Sequence, residues 1–172
     1  MKKYKVLFCD LDGTLIETIS GATFSKGIWD MKFKFDILDA IKKLSPEYVL
    51  IVSNQGGIEK GFVNRHNFES KLEYIVLSIR EYLSNNKVYS AYCDSNNTEN
   101  ESRKPNIGML NHLTETFVGD DFDYIKTVSL MIGDASGLEG QFSDSDKKTA
   151  EKFGIDYFDV GEFTELMKGG EQ

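Results

Sequence analysis

The chain has 172 residues, 40% of them hydrophobic, and carries a net charge of −8. That length suits one folded domain with its own core, so residues 1–172 are expected to form a single domain. Only two prolines and no apolar run near the roughly 18 residues of a membrane span exclude a Pro-rich linker and a transmembrane chain, and the acidic balance excludes a protein that coats nucleic acid through many Lys and Arg contacts.

In chain order, Val6-Leu7-Phe8-Cys9 is an unbroken apolar run that stops at Asp10. It is too short for the core of an export signal, so Cys9 and Cys93 are expected as reduced thiols of a soluble cytoplasmic protein. The run reads as a buried parallel strand with Asp10 at its carboxyl end. Residues 14–35 follow, enough for a flap and too few for a large cap domain. They contain Trp29, placed either to stack on a base or to cover the core edge. Residues 36–45 predict a helix with Ile37, Leu38, Ile41 and Leu44 inward and Pro46 beyond its end. A second strand, residues 48–52, stops at Ser53. Asn64 is a candidate N-cap for a helix burying Phe68, Leu72, Ile75, Val76, Ile79 and Leu83.

Residues 87–92 predict another strand, and the polar stretch 94–103 a mobile surface loop. A helix after Pro105 should place Ile107, Leu110, Leu113 and Phe117 on one side. Residues 127–132 repeat the apolar strand pattern and stop at Gly133-Asp134. A helix over 143–153 should end at Gly154. A strand over 155–158 and a helix over 162–168 should complete the chain, before a loose Gly169-Gly170 tail. His66 and His112 are expected on helix surfaces, without a role.

Strands alternating with helices imply an α/β fold, a Rossmann-like doubly wound parallel sheet. In such sheets ligands sit beyond the carboxyl ends of the strands, where Asp10, Ser53 and Asp134 fall. In Asp10-Leu11-Asp12-Gly13-Thr14, alternation puts two carboxylates on one side of an extended segment. Such a pair is comfortable only with a cation or a shared proton, and Mg²⁺ is the natural hard partner.

These residues resemble the haloacid dehalogenase-like superfamily. The resemblance implies that Asp10 is a nucleophile that forms an aspartyl-phosphate. It implies that Asp12 is the general acid and base, that Ser53 binds the phosphoryl group, and that Lys104 holds its oxygens and offsets the charge of the nucleophile. Asp10, Asp12 (through its main-chain carbonyl) and Asp134 would bind Mg²⁺. Gly13, Asn54 and Arg103 are candidate substrate-binding residues.

Within the superfamily, Ser20-Gly21, Arg103-Lys104-Pro105, Gly133-Asp134-Ala135 with Gly137, and Phe142-Ser143 with Asp146 are similar to the phosphatase domain of polynucleotide kinase 3′-phosphatases. The activity implied is removal of a 3′-phosphate from DNA ends during repair. The expected partner is a nucleic acid end bearing a 3′-phosphate, and the expected state is a monomer off the membrane. No P-loop is present, so a 5′-kinase activity is not expected. The region before Arg103 holds only Cys93, so no structural zinc is expected. Leu138 and Glu139-Gly140-Gln141 stand where relatives often carry Arg and a basic loop. Two rival readings are a phosphatase for a small sugar or histidinol phosphate and a catalytically silent module that binds nucleic-acid ends or a protein.

Overall fold

The structure, a computed structural model, describes residues 2–85 and 87–169; Gly170, the end of the expected tail, lies outside them. Strand β1 (Val6–Cys9) is apolar throughout because it is the middle strand of the sheet, covered on both faces. Successive side chains point to opposite faces. Leu7 and Cys9 therefore enter one core, and Val6 and Phe8 the other.

The chain then makes a two-residue antiparallel ladder, β2 (Ile16–Glu17) against β3 (Lys32–Phe33). Its connection is gathered around Asp30, whose buried carboxylate accepts hydrogen bonds from Ser20 N (2.8 Å), Ser20 Oγ (2.7 Å) and Lys26 N (2.8 Å). Those bonds favour the charged form and hold the Asp30 pKa down to about 2. This is the flap expected from residues 14–35. Trp29 is 68% exposed on it and does not cover the core edge.

Helix α1 (Phe35–Leu44) ends at Ser45, which takes the left-handed conformation just before Pro46. Strand β4 (Tyr48–Asn54) runs two residues beyond the expected end, so Ser53 and Asn54 are its last residues. A short α2 (Gly56–Glu59) and the long α3 (Arg65–Leu83) follow. Asn64 caps α3 as expected, accepting the Asn67 N–H at 3.0 Å; such a cap contributes about 1 kcal/mol. Next come β5 (Val88–Cys93), α4 (Gly108–Leu113), α5 (Phe122–Thr127), β6 (Ser129–Gly133), α6 (Ser145–Phe153), β7 (Asp156–Asp159) and α7 (Val160–Lys168).

The five long strands pair in parallel in the order β5-β4-β1-β6-β7. Helices α1, α3 and α7 pack on the face of Leu7 and Cys9, and α4, α5 and α6 on the face of Val6 and Phe8. On the second face Phe8 meets Phe153 edge-on, with ring centroids 5.7 Å apart. That geometry adds about 0.5–1.5 kcal/mol beyond the area buried. The parallel strand order, with helices on both faces, is the expected doubly wound α/β fold.

Three local expectations are corrected. Thr127 closes α5, which Asp121 caps by accepting the Tyr124 N–H at 3.0 Å, so the sixth strand begins only at Ser129. After α4 the chain continues as one π-helical turn, Thr114–Val118. The wider turn rotates Phe117 off the inward line, and it stacks instead on Tyr89 with centroids 3.7 Å apart. The 94–103 stretch, expected as a mobile loop, is a chain of hydrogen-bonded turns, with Asn96 Nδ2 donating to Gly56 O (2.7 Å) and Asn106 Nδ2 to Thr98 O (2.9 Å). Among the described residues, no helix is long and apolar enough to cross a membrane.

Candidate active site

Three neighbouring strands, β4, β1 and β6, deliver polar residues to one edge of the sheet. Asp10 follows β1 and is still held in the ladder, its N–H donating to Ile132 O at 3.1 Å. Lys104 arrives from the loop before α4 and is buried. Its ammonium donates to Asp10 Oδ1 (2.6 Å), Asp146 Oδ1 (2.7 Å) and Val52 O (3.0 Å). Three N–H bonds meet three acceptors. Asn54 fixes the backbone behind this group. Its Oδ1 accepts from Lys104 N, and its Nδ2 donates to Lys104 O, both at 2.9 Å.

Two glycines give the acids room. Gly13 has φ +85°, and a Cβ there would lie 1.9 Å from Asp134 Oδ2. A Cβ at Gly133 would lie 2.3 Å from Asp146 Oδ2. The Lys34 ammonium donates to Gly13 O at 2.6 Å and ties the flap's root to the same loop. Gln55 sets the outer rim: its Nε2 donates to Asp12 Oδ2 (2.6 Å) and Ser53 Oγ (2.8 Å).

The charges do not balance. Asp10, Asp134 and Asp146 each offer a carboxylate oxygen within 4.8 Å of the others, facing one ammonium. Burial, with the charges of Asp146 and Asp134, pushes the Asp10 pKa up to about 8 despite the opposing pull of Lys104. Burial and Asp146 push Asp134 up to about 6. Burial works against the charge of Lys104, but Asp10 and Asp146 outweigh it and hold its pKa above the ordinary lysine value. Oxygen donors with excess negative charge form a group able to hold a hard metal ion.

The sequence profile of the polynucleotide kinase 3 phosphatase family matches residues 5–163. The chain belongs to this family. It is 34% identical over 160 residues to the bifunctional polynucleotide phosphatase/kinase of Schizosaccharomyces pombe, an alignment that takes in 91% of this chain and 36% of that protein. The chain thus spans about a third of that relative's length. It is 29% identical over 180 residues to an uncharacterised 20.8 kDa protein of Autographa californica nuclear polyhedrosis virus, covering 96% of this chain and 88% of the viral one. The fold matches the D,D-heptose 1,7-bisphosphate phosphatase of B. bronchiseptica, solved with magnesium and phosphate, at TM-score 0.67 and 18% identity, covering 99% of this chain and 88% of that one. Its fold is that of the haloacid dehalogenase-like phosphatases.

In this structure Asp10, Lys104 and Asp134 come together as one group. Asp12 is exposed, and its carboxylate lies outside the acidic cluster, on Gln55. Ser53 is buried beside them. Asn54, a candidate for binding substrate, spends its amide on the Lys104 backbone. Arg103, another such candidate, turns its Nη1 to Ser95 O at 2.7 Å. Two residues were not assigned a role from sequence, Gln55 and Asp146. Asp146 had a signal: an acid in the first turn of a helix that follows a Gly-Asp strand end, within the Phe-Ser-x-x-Asp segment. It is buried, and Ala135 N donates to its second oxygen at 3.1 Å.

Proposed function

We propose that this phosphatase removes the 3′-phosphate from a DNA strand end through an aspartyl-phosphate on Asp10, with Mg²⁺ as cofactor. The observation that carries the reading is the family match, which takes in all five strands and Asp10, Asp12, Ser53, Lys104, Asp134 and Asp146. A flap without a cap domain suits a phosphate carried on a long strand.

Lys104 holds Asp10 Oδ1, which leaves Oδ2 to attack phosphorus. As the new P–O bond forms, the P–O3′ bond breaks, and Asp12 gives its proton to the departing O3′. Asp12 then takes a proton from water, and the water oxygen attacks the phosphorus of the aspartyl-phosphate. The bond to Asp10 breaks, and inorganic phosphate leaves. Ser53 Oγ would hold a phosphoryl oxygen. Gln55 orients both Asp12 and Ser53, and Asn54 positions Lys104. The donor set fits a hard divalent cation: Asp10, Asp134 and Asp146, with the main-chain carbonyl of Asp12, would hold Mg²⁺. When bound, the ion supplies positive charge against the nucleophile and the phosphoryl group.

The raised acids predict a pH effect. From about pH 4 the metal-free folded protein holds protons that the unfolded chain has released, on Asp134 up to about pH 6 and on Asp10 up to about pH 8. Stability without metal therefore falls as pH rises through that window. Mg²⁺ displaces those protons, so its stabilising effect should grow over the same window. Thermal unfolding at pH 5 and pH 8, with chelator and with Mg²⁺, measures this. Equal Mg²⁺ shifts at both pH values would contradict the acidic cluster as the metal site.

The substrate is tested by phosphate release with Mg²⁺ from a 3′-phosphorylated oligonucleotide, a 5′-phosphorylated one and a sugar bisphosphate. Turnover is expected on the first alone. Preference for the sugar bisphosphate would overturn the reading.

A further inference from the structure

A cavity of about 320 Å³ is walled by the flap on one side and by the α2–α3 turn with the first turns of α3 on the other. Both walls are chain that has just left the site. The flap begins after Gly13, and the second wall after Gln55. They meet where Phe24 of the flap packs on Phe62, with ring centroids 5.3 Å apart.

Lys71 of α3 lines this cavity and is only 6% exposed. Among the described residues its ammonium has neither a hydrogen bond nor an ion pair; its one close partner is the Phe68 ring, 5.8 Å to the centroid. The stem of Lys71 is buried, and its ammonium stays open to solvent, where an anion can reach it. Lys26 lines the same cavity, with Asn64 and Asn67, and no acidic residue does. In a chain of net charge −8 that is a local reversal of sign. Ile28 and Phe62, 43% and 62% exposed, give the cavity an apolar rim. Two lysines, two amides, no carboxylate and an apolar rim are the chemistry of a site for a phosphate attached to something flat or greasy.

We propose that this cavity binds a phosphodiester group of the strand whose 3′ end is in the active site, with the Lys71 ammonium as its counter-charge. The identity of the ligand as a strand rests on the polynucleotide reading; the anion chemistry of the cavity does not.

Lys71→Met removes the charge and keeps the bulk. Lys26→Ala, at an exposed position, is a second variant that leaves the interior untouched. Three measurements are made with each. They are phosphate release from thymidine 3′-monophosphate and from a 3′-phosphorylated octanucleotide, anisotropy binding of a fluorescent octanucleotide ending in a 3′-hydroxyl, and phosphate release from a sugar bisphosphate. Lys71→Met is expected to raise KM for the octanucleotide about tenfold, the size of one charge-assisted hydrogen bond. It should weaken octanucleotide binding equally and leave kcat and the mononucleotide unchanged. The logarithmic salt dependence of binding should become shallower by about 0.7, one phosphate contact on a single strand. Lys26→Ala should move the same quantities in the same direction by about two- to threefold, the effect of an exposed charge.

Octanucleotide binding and KM unchanged in both variants would overturn the proposal, and would mean that Lys71 only threads its stem through apolar surface. A Lys71 effect confined to the sugar bisphosphate would also overturn it as stated. That outcome would keep an anion cavity and reject the polynucleotide reading. Wild-type turnover on small phosphates alone, with octanucleotide binding that Lys71→Met still weakens, would reject the reaction and support the cavity.

Discussion

Asp10→Asn is expected to abolish phosphate release, by on the order of 10⁴-fold or more, as when a group that itself reacts is removed. The amide keeps the shape of the carboxylate and has no anionic oxygen to attack phosphorus. The fold should survive. Asp10 is an acid that burial and its acidic neighbours have already pushed up to about 8, so a neutral side chain relieves repulsion from Asp146 and Asp134. The relief offsets the weaker bond to Lys104. Without metal the variant should therefore unfold within a few degrees of the parent or above it. Phosphate release at a rate near the parent's would contradict the covalent mechanism.

Lys104→Met is expected to give the largest loss of stability. It leaves Asp10 and Asp146 buried, 7% and 1% exposed, without their shared counter-charge. Breaking a buried pair from one side costs about 3–5 kcal/mol. For a chain of this length each kcal/mol moves the melting temperature by about 2–4 °C, so a fall of roughly 6–20 °C is expected. The loss should be smaller at pH 5 than at pH 8, because Asp10, pushed up to about 8, is protonated at pH 5 and no longer a stranded charge. Calorimetry of the two proteins at both pH values checks this. A variant as stable as the parent at pH 8 would mean that Lys104 is not the counter-charge the distances indicate. Mg²⁺ should recover part of the loss, since it supplies positive charge to the same carboxylates.

The strands were the most legible part of the sequence. A strand covered on both faces must be apolar at every position, and Val6–Cys9 and the centres of β4 and β6 are. Their ends announced the site, because Asp10, Ser53 and Asp134 each interrupt such a run. Shorter pieces were not legible. Helix α5 buries only Ile125, and six residues with one buried position carry no period. The flap strands are two residues long and cannot show alternation. Contacts across long separations were hidden for a different reason. Asn54 reads as a strand-end turn residue, and nothing local says that its amide meets a backbone fifty residues away. Asp146 sits in the first turn of α6, where an acid ordinarily serves the helix dipole. Only the fold shows it turned inward to Lys104.

The flap has a consequence for how such a molecule can change. Its ends are clamped at the ladder of Ile16 with Phe33 and Glu17 with Lys32, and the chain between them runs out over the α2–α3 turn, where Phe24 meets Phe62, and returns. Lengthening that excursion does not require the ends to find one another again, and loop-closure entropy grows by only about 0.6 kcal/mol for each doubling of length. The five strands and the acids at their tips would feel none of it. Access to the site and the chemistry within it are therefore separate heritable traits of this chain. A longer excursion between Thr18 and Met31 could narrow the range of admissible molecules, or a shorter one widen it, while the phosphorus chemistry passed through unaltered.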